Sequence, residues 1–280
     1  MLTNQPVSRS TNQLINYTLH LADNSLILGH RNSEWCGHGP VLEQDIAITN
    51  ISLDLIGQAR NFYQYAAELI NFSTNQPFNQ STSQPINLST NQPVTEDSLA
   101  YLRDARDFKN CLLVEQPKGD WAVTILRQFF FSAYQYLLCT KLQNSKDNQL
   151  AAITEKALKE VTYHLRWSSE WVMRLGDGTE ESKRRMIKAI DDLWMFTGEL
   201  FVLATYEQEA AAAGFGIDIA SLKNDWMQKI KIVFEEATLP LPKEGVWMQS
   251  GGKEGRHTEY LGYILAEMQF LQRAYPGCEW

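Results

Sequence analysis

The chain has 280 residues, 44% of them apolar, which is enough to enclose the core of one large domain. A net charge of −8 and a pI near 5.2 exclude a general polyanion-binding surface, because such a surface needs clustered Lys and Arg to displace counterions. The first thirteen residues are polar, and no apolar run approaches the ~18 residues of a membrane span. A cytoplasmic protein with no membrane or nucleic-acid partner is therefore expected. Cys36, Cys111, Cys139 and Cys278 are scattered with no C-x-x-C spacing, so four free thiols are expected.

Apolar residues recur close to the period of a helix almost everywhere, and few stretches alternate as a half-buried strand would. The pattern predicts an all-α protein with helices near 12–32, 39–70, 97–109, 119–144, 148–175, 180–212, 219–237 and 258–274. Between Trp121 and Leu138 apolar side chains cover nearly every face, including Phe129, Phe130 and Phe131, which marks a helix enclosed by others. Long helices around one enclosed member predict a bundle. The stretch 71–94 differs: Ser, Thr, Asn, Gln and Pro dominate it. Its Ser-Thr-Asn-Gln unit recurs at 73 and 89 and also at 10, in the N-terminal tail. Such a segment buries too little apolar surface to offset its ordering entropy, so the tail 1–11 and the insert 71–94 are expected to be disordered parts of a single domain 1–280.

Helical bundles that activate oxygen place a carboxylate on each of two helices and a Glu-x-x-His on each of the other two. Hard carboxylates neutralise the two irons, and imidazoles complete the coordination. On the first predicted helix Asp23 sits in an apolar face with Leu19, Leu26 and Ile27. On the second, Asp54 lies 31 residues later, but the residue three further on is Gly57, which cannot ligate. The third position falls near Tyr134 and Gln135, neither an acid, and on the fourth Glu160 precedes His164 by four residues rather than three. The set is short of ligands for two irons. Three readings stand: Asp23, Asp54, Glu160 and His164 form a vestigial buried polar centre that pairs its own charges, some of them lie at the surface, or they hold metal in a non-standard set.

The remaining candidates are weaker. Cys36 and His38 suggest a thiol–imidazole pair, yet Gly37 beside them reads as a helix stop. The loop 243–257 offers Lys243, Lys253, Arg256 and four glycines to a phosphate, although no strand precedes it and the glycine spacing fits no phosphate loop; a loop facing a partner is the alternative. Trp167, Trp171 and Trp194 lie on helical faces, as core or interface residues do.

Two motifs carry a resemblance. The segment Gly251-Gly252-Lys253-Glu254-Gly255-Arg256-His257-Thr258-Glu259-Tyr260-Leu261-Gly262 runs into Leu265-Ala266-Glu267-Met268-Gln269. Ser33-Glu34-Trp35-Cys36-Gly37-His38 is followed by Leu53-Asp54-Leu55-Ile56-Gly57-Gln58-Ala59-Arg60-Asn61. With Leu113 to Pro117 and Tyr163 to Arg166, these resemble the family of the structural, beta-type subunit of the bacterial 1,2-phenylacetyl-CoA epoxidase, a multicomponent ring oxygenase, over roughly 12–70 and 97–280. The resemblance implies a ferritin-like helical bundle with additional C-terminal helices and no iron of its own. It implies a non-catalytic structural subunit, without a cofactor, that forms a hetero-oligomer with the di-iron catalytic subunit of the same complex. There the partner inserts oxygen across the 1,2 bond of the aromatic ring of phenylacetyl-CoA. NADPH supplies electrons through a reductase with FAD and an iron–sulfur centre. The enzyme-class alternative is an independent di-iron oxygenase or oxidase, and a third reading is an interaction scaffold in another pathway.

Overall fold

A computed structural model describes residues 9–74, 93–243 and 245–278. Within them the chain is all-α, and no strand occurs among the described residues. Four long helices make a ferritin-like bundle: α1 (Arg9–Ser33) and α2 (Leu42–Thr74) form one hairpin, and α5 (Trp121–Leu142) and α6 (Asn148–Gly176) form the other. Between them run the short helices α3 (Glu96–Tyr101) and α4 (Leu112–Glu115). After α6 come α7 (Glu180–Leu193), α8 (Thr205–Ala213), α9 (Lys223–Glu236), α10 (Glu259–Met268) and α11 (Phe270–Ala274). No described helix is long and apolar enough to cross a membrane. The four cysteines are unpaired; Cys36 and Cys278 are exposed, Cys111 and Cys139 buried.

The enclosed helix is α5. Asp120 starts it by accepting a hydrogen bond from the Val123 N–H at 3.1 Å, and the residues from Ala122 to Gln135, Val123 excepted, are buried. The outer elements pack onto it: Trp226 of α9 donates its indole N–H to the Phe130 carbonyl at 2.9 Å, and Trp194 meets Phe130 edge-on. Burying each such ring contributes about 1.5–3 kcal/mol, which is why the face of α5 turned away from the bundle is apolar as well. Asp147 and Thr179 cap α6 and α7 in the same way as Asp120.

Three predicted helices are broken. The span 97–109 holds only α3 and a 3₁₀ turn at Ala105–Asp107. The span 180–212 stops at Leu193 and continues as 3₁₀ turns Trp194–Phe196 and Gly198–Phe201 before α8. That detour has two causes: Met248 lies over Gly198, where a Cβ would come within 2.7 Å of its Cγ, and Glu199 turns inward to receive backbone N–H groups. The span 258–274 breaks at Gln269, whose side-chain amide leaves the helix to donate to the carbonyls of Ala100 and Arg103. The expected disorder of 1–11 and 71–94 concerns residues that lie largely outside the described ones; α1 already begins at Arg9 and α2 extends to Thr74. The ends flanking 75–92 are joined, since the Asn71 amide donates to the Val94 carbonyl and accepts from the Val94 N–H, both at 2.8 Å.

Candidate functional site

Midway along the bundle, α2, α5 and α6 turn polar residues toward each other. His164 is fully buried and donates from Nε2 to Asp54 Oδ2 at 3.0 Å, whereas Asp54 keeps its side chain 35% exposed. One turn along each helix, the Gln58 amide donates to Glu160 Oε2 at 2.8 Å, and Gln58 Oε1 accepts from the Gln135 amide at 2.9 Å. The bonds thus cross from α6 to α2 to α5. The donor set does not fit a two-metal centre: amides stand at Gln58 and Gln135, Gly57 is exposed, and no group of three or more His, Cys, Asp or Glu converges among the described residues.

Asp23 does not join this group, so the expected single centre divides. It is wholly buried on α1 and binds Arg103, which donates to both its oxygens, together with the Tyr63 hydroxyl and the Lys109 N–H at 2.7 Å. Burial and the Asp23 charge push the Tyr63 phenol well above its usual value, so it stays a hydrogen donor. Arg103 in turn lies over the Phe108 ring, 4.2 Å from its centroid. Asp54 and Glu160 are only partly buried, which corrects the expectation that all four would be enclosed. The reason is geometric: α2 and α6 border the solvent at this level, while α1 is covered by the segment from Leu99 to Asn110.

A denser cluster surrounds the C-terminal motif. Three buried glutamates hold it. Glu199 accepts from the N–H groups of Leu112 and Gly251, each at 2.7 Å. Glu207 pairs with Lys253 at 3.1 Å, and the Lys253 ammonium also donates to the Val202 carbonyl. Glu115 receives His257 Nδ1 at 2.8 Å, both the N–H and the hydroxyl of Thr258, and the Asn110 amide. Arg31 ties the same region to α1 by donating to the carbonyls of Glu115 and Tyr260. Burial raises the Glu199 carboxyl against the N–H groups of Leu112 and Gly251, which hold it down. Burial pulls the His257 imidazole down, but the Glu115 hydrogen bond and charge outweigh it and leave it above its ordinary value. His20, beside Glu207, is lowered by burial; it donates from Nδ1 to the Lys109 carbonyl and accepts the Asn24 amide on Nε2, as a neutral ring must.

This geometry removes Lys253 and the backbone donors beside it from the phosphate reading of the loop, while Val246, Trp247 and Arg256 stay exposed, as a partner-facing loop allows. Lys253 is 3% exposed, and the backbone donors at Gly251 and Lys253 serve Glu199. The glycines follow from close approach: a Cβ on Gly252 would stand 2.5 Å from the Asn110 carbonyl oxygen, and Gly255 has φ +78°. The Cys36 and His38 pair is not a thiol–imidazole couple, since His38 Nδ1 donates to the Cys36 carbonyl. Trp167 and Trp171 meet Trp121 edge-on, and Trp194 packs against Trp226; Trp167 and Trp194 are core residues, and the half-buried Trp171 packs against the core. Residue-by-residue reading missed Arg103, Gln58, Glu199 and Glu207. Gln58 and Glu115 do fall within the matched segments, which was the available signal.

Sequence comparison agrees with the fold. The family described as phenylacetic acid catabolic protein matches residues 2–280. The chain is 47% identical over 269 residues to the 1,2-phenylacetyl-CoA epoxidase subunit designated C of Escherichia coli (strain K12), covering 96% of this chain and all of that protein. A family match over residues 2–280 and a relative of this identity and coverage mean that the chain belongs to the phenylacetic acid catabolic protein family.

Proposed function

We propose that this chain is the non-catalytic, structural subunit of a phenylacetyl-CoA 1,2-epoxidase acting in the cytoplasm, where it binds the iron-bearing partner and holds it in an active form. The supporting observation is the donor chemistry of the bundle centre. Gln58 uses its N–H₂ on Glu160 and its oxygen on Gln135, so both amides are committed to each other and to one acid. The amides carry no charge and so need no cation to balance them, whereas a full set of carboxylates in the same place would need one. On this reading the ring oxygenation belongs to the partner, with electrons from NADPH passing through a reductase that carries FAD and an iron–sulfur centre. The name of the Escherichia coli relative supports membership of that complex.

Two measurements test it. Elemental analysis of the purified chain is expected to find no stoichiometric iron; close to two irons per chain would favour an independent oxygenase. The iron-bearing subunit with its reductase is expected to epoxidise phenylacetyl-CoA poorly by itself and to recover when this chain is added. Full activity without the chain would end the structural reading.

A further inference from the structure

Helix α10 departs from the one-sided pattern of a surface helix. Its inner face, with Leu261, Ile264 and Leu265, is buried. Its outer face is apolar too, and this face continues onto α11: Tyr263 is 61% exposed and Phe270 60%, with Leu271 beside them. A helix apolar on both sides is normally enclosed on both. Here the described chain covers only the inner side.

The outer face is also shaped. Small residues at Gly262 and Ala266 leave an open groove bounded by Phe270 and, at one end, by Arg273 and Asp104. The space is free at its floor, since a Cβ added to Gly262 meets nothing within 4 Å. Charge on this face is acidic. Glu259 and Glu267 are exposed and form no ion pair among the described residues, whereas Arg273 is engaged by Asp104 at 3.0 Å and by the carbonyls of Tyr101, Leu102 and Arg103.

We propose that this groove receives an amphipathic helix of the iron-bearing subunit, with its apolar stripe between Tyr263 and Phe270 and flanking Lys or Arg side chains against Glu259 and Glu267. The assignment rests on the structural-subunit reading and adds the surface and the chemistry of the contact. A groove with small residues at its floor lets two helix backbones approach closely, and apolar anchors at one-turn spacing fit it. Two other occupants match it less well. A second copy docked about a two-fold axis would bring the same acids face to face, which like-charge repulsion opposes. Residues 75–92 of this chain contain no Lys or Arg and leave those acids unmatched.

Gly262→Arg fills the groove and reverses its local charge without touching the inner face, and it replaces an exposed helical glycine, so the fold should be kept. Binding of the purified iron-bearing subunit to the immobilised full chain is the readout, with the melting temperature of each variant as the control. Gly262→Arg should weaken binding at least tenfold at an unchanged or higher melting temperature. Glu267→Lys should weaken it and flatten its salt dependence. Phe270→Ser repeats the test at an exposed position should the arginine disturb folding. If the wild-type chain binds and all three variants bind within twofold of it, the groove is not the contact and the structural reading stands. If the wild-type chain itself fails to bind, both fall. Conversion of a homodimer to a monomer by Gly262→Arg, with affinity for the iron-bearing subunit unchanged, would assign the groove to a second copy and overturn the proposal.

Discussion

The bundle centre and the C-terminal latch are built from the same kinds of side chain and treat charge in opposite ways. In the centre, two of the five residues are amides and the acids Asp54 and Glu160 reach solvent. In the latch, Glu115, Glu199 and Glu207 are almost wholly buried, and each is balanced by a cation or by several N–H donors. A buried carboxylate is stable only when it is compensated. Here the fold retains such groups where they fasten one segment to another, and it carries neutral amides midway along the bundle.

The largest expected effect follows from the latch. Lys253→Met leaves Glu207 buried without its cation and should cost about 3–5 kcal/mol, read from the urea midpoint of the full chain. A loss of only about 1–3 kcal/mol, the size expected in the centre, would make the two regions energetically alike. In the centre, Gln58→Leu leaves the Gln135 N–H without its acceptor and Glu160 Oε2 without its donor, and about 1–3 kcal/mol is expected in the same assay.

The pH dependence sharpens the contrast. Because His257 is raised in the folded chain, its contribution is complete below the unfolded value of about 6.5 and is lost as pH rises through the raised folded value. His20 is lowered, so its effect has the other sign: stability is complete above about 6.5 and falls as pH drops toward the folded value. Denaturation between about pH 6 and pH 9 should therefore show a decline that His257→Gln flattens. An unchanged slope in that variant would remove the latch from the titration. The smallest effect belongs to Asp54→Ala. A fully buried Asp54–His164 pair would make this change as costly as the one at Lys253, but Asp54 is 35% exposed, and water substitutes for the lost contact at about 1 kcal/mol or less.

The helices and the bundle were legible because apolar period survives any arrangement of neighbours. The enclosed nature of α5 was visible in Phe129, Phe130 and Phe131 alone. What pairs with what was not. Asp23 finds Arg103 eighty residues away, and Lys253 finds Glu207 forty-six residues away, at separations that leave no periodic trace. The break after Leu193 was hidden for the same reason, since it is imposed by Met248 and by the need of Gly251 for an acceptor. Reading Asp23, Asp54, Glu160 and His164 as one centre followed from helical register, which places residues at a level of the bundle but does not decide which of them meet. The phosphate reading of the loop 243–257 fails at Lys253, whose inward turn leaves no trace in composition.

The clasp between Asn71 and Val94 has a practical corollary. One side chain makes the pair of bonds that a neighbouring strand would make, and it does so at the root of residues 75–92. The distance between those two anchor points is therefore set by the clasp and not by the number of residues strung between them. Natural length variation at this place should be invisible to the bundle, and an affinity tag, a fluorophore or a whole reporter domain grafted there should leave the melting temperature of the bundle unchanged.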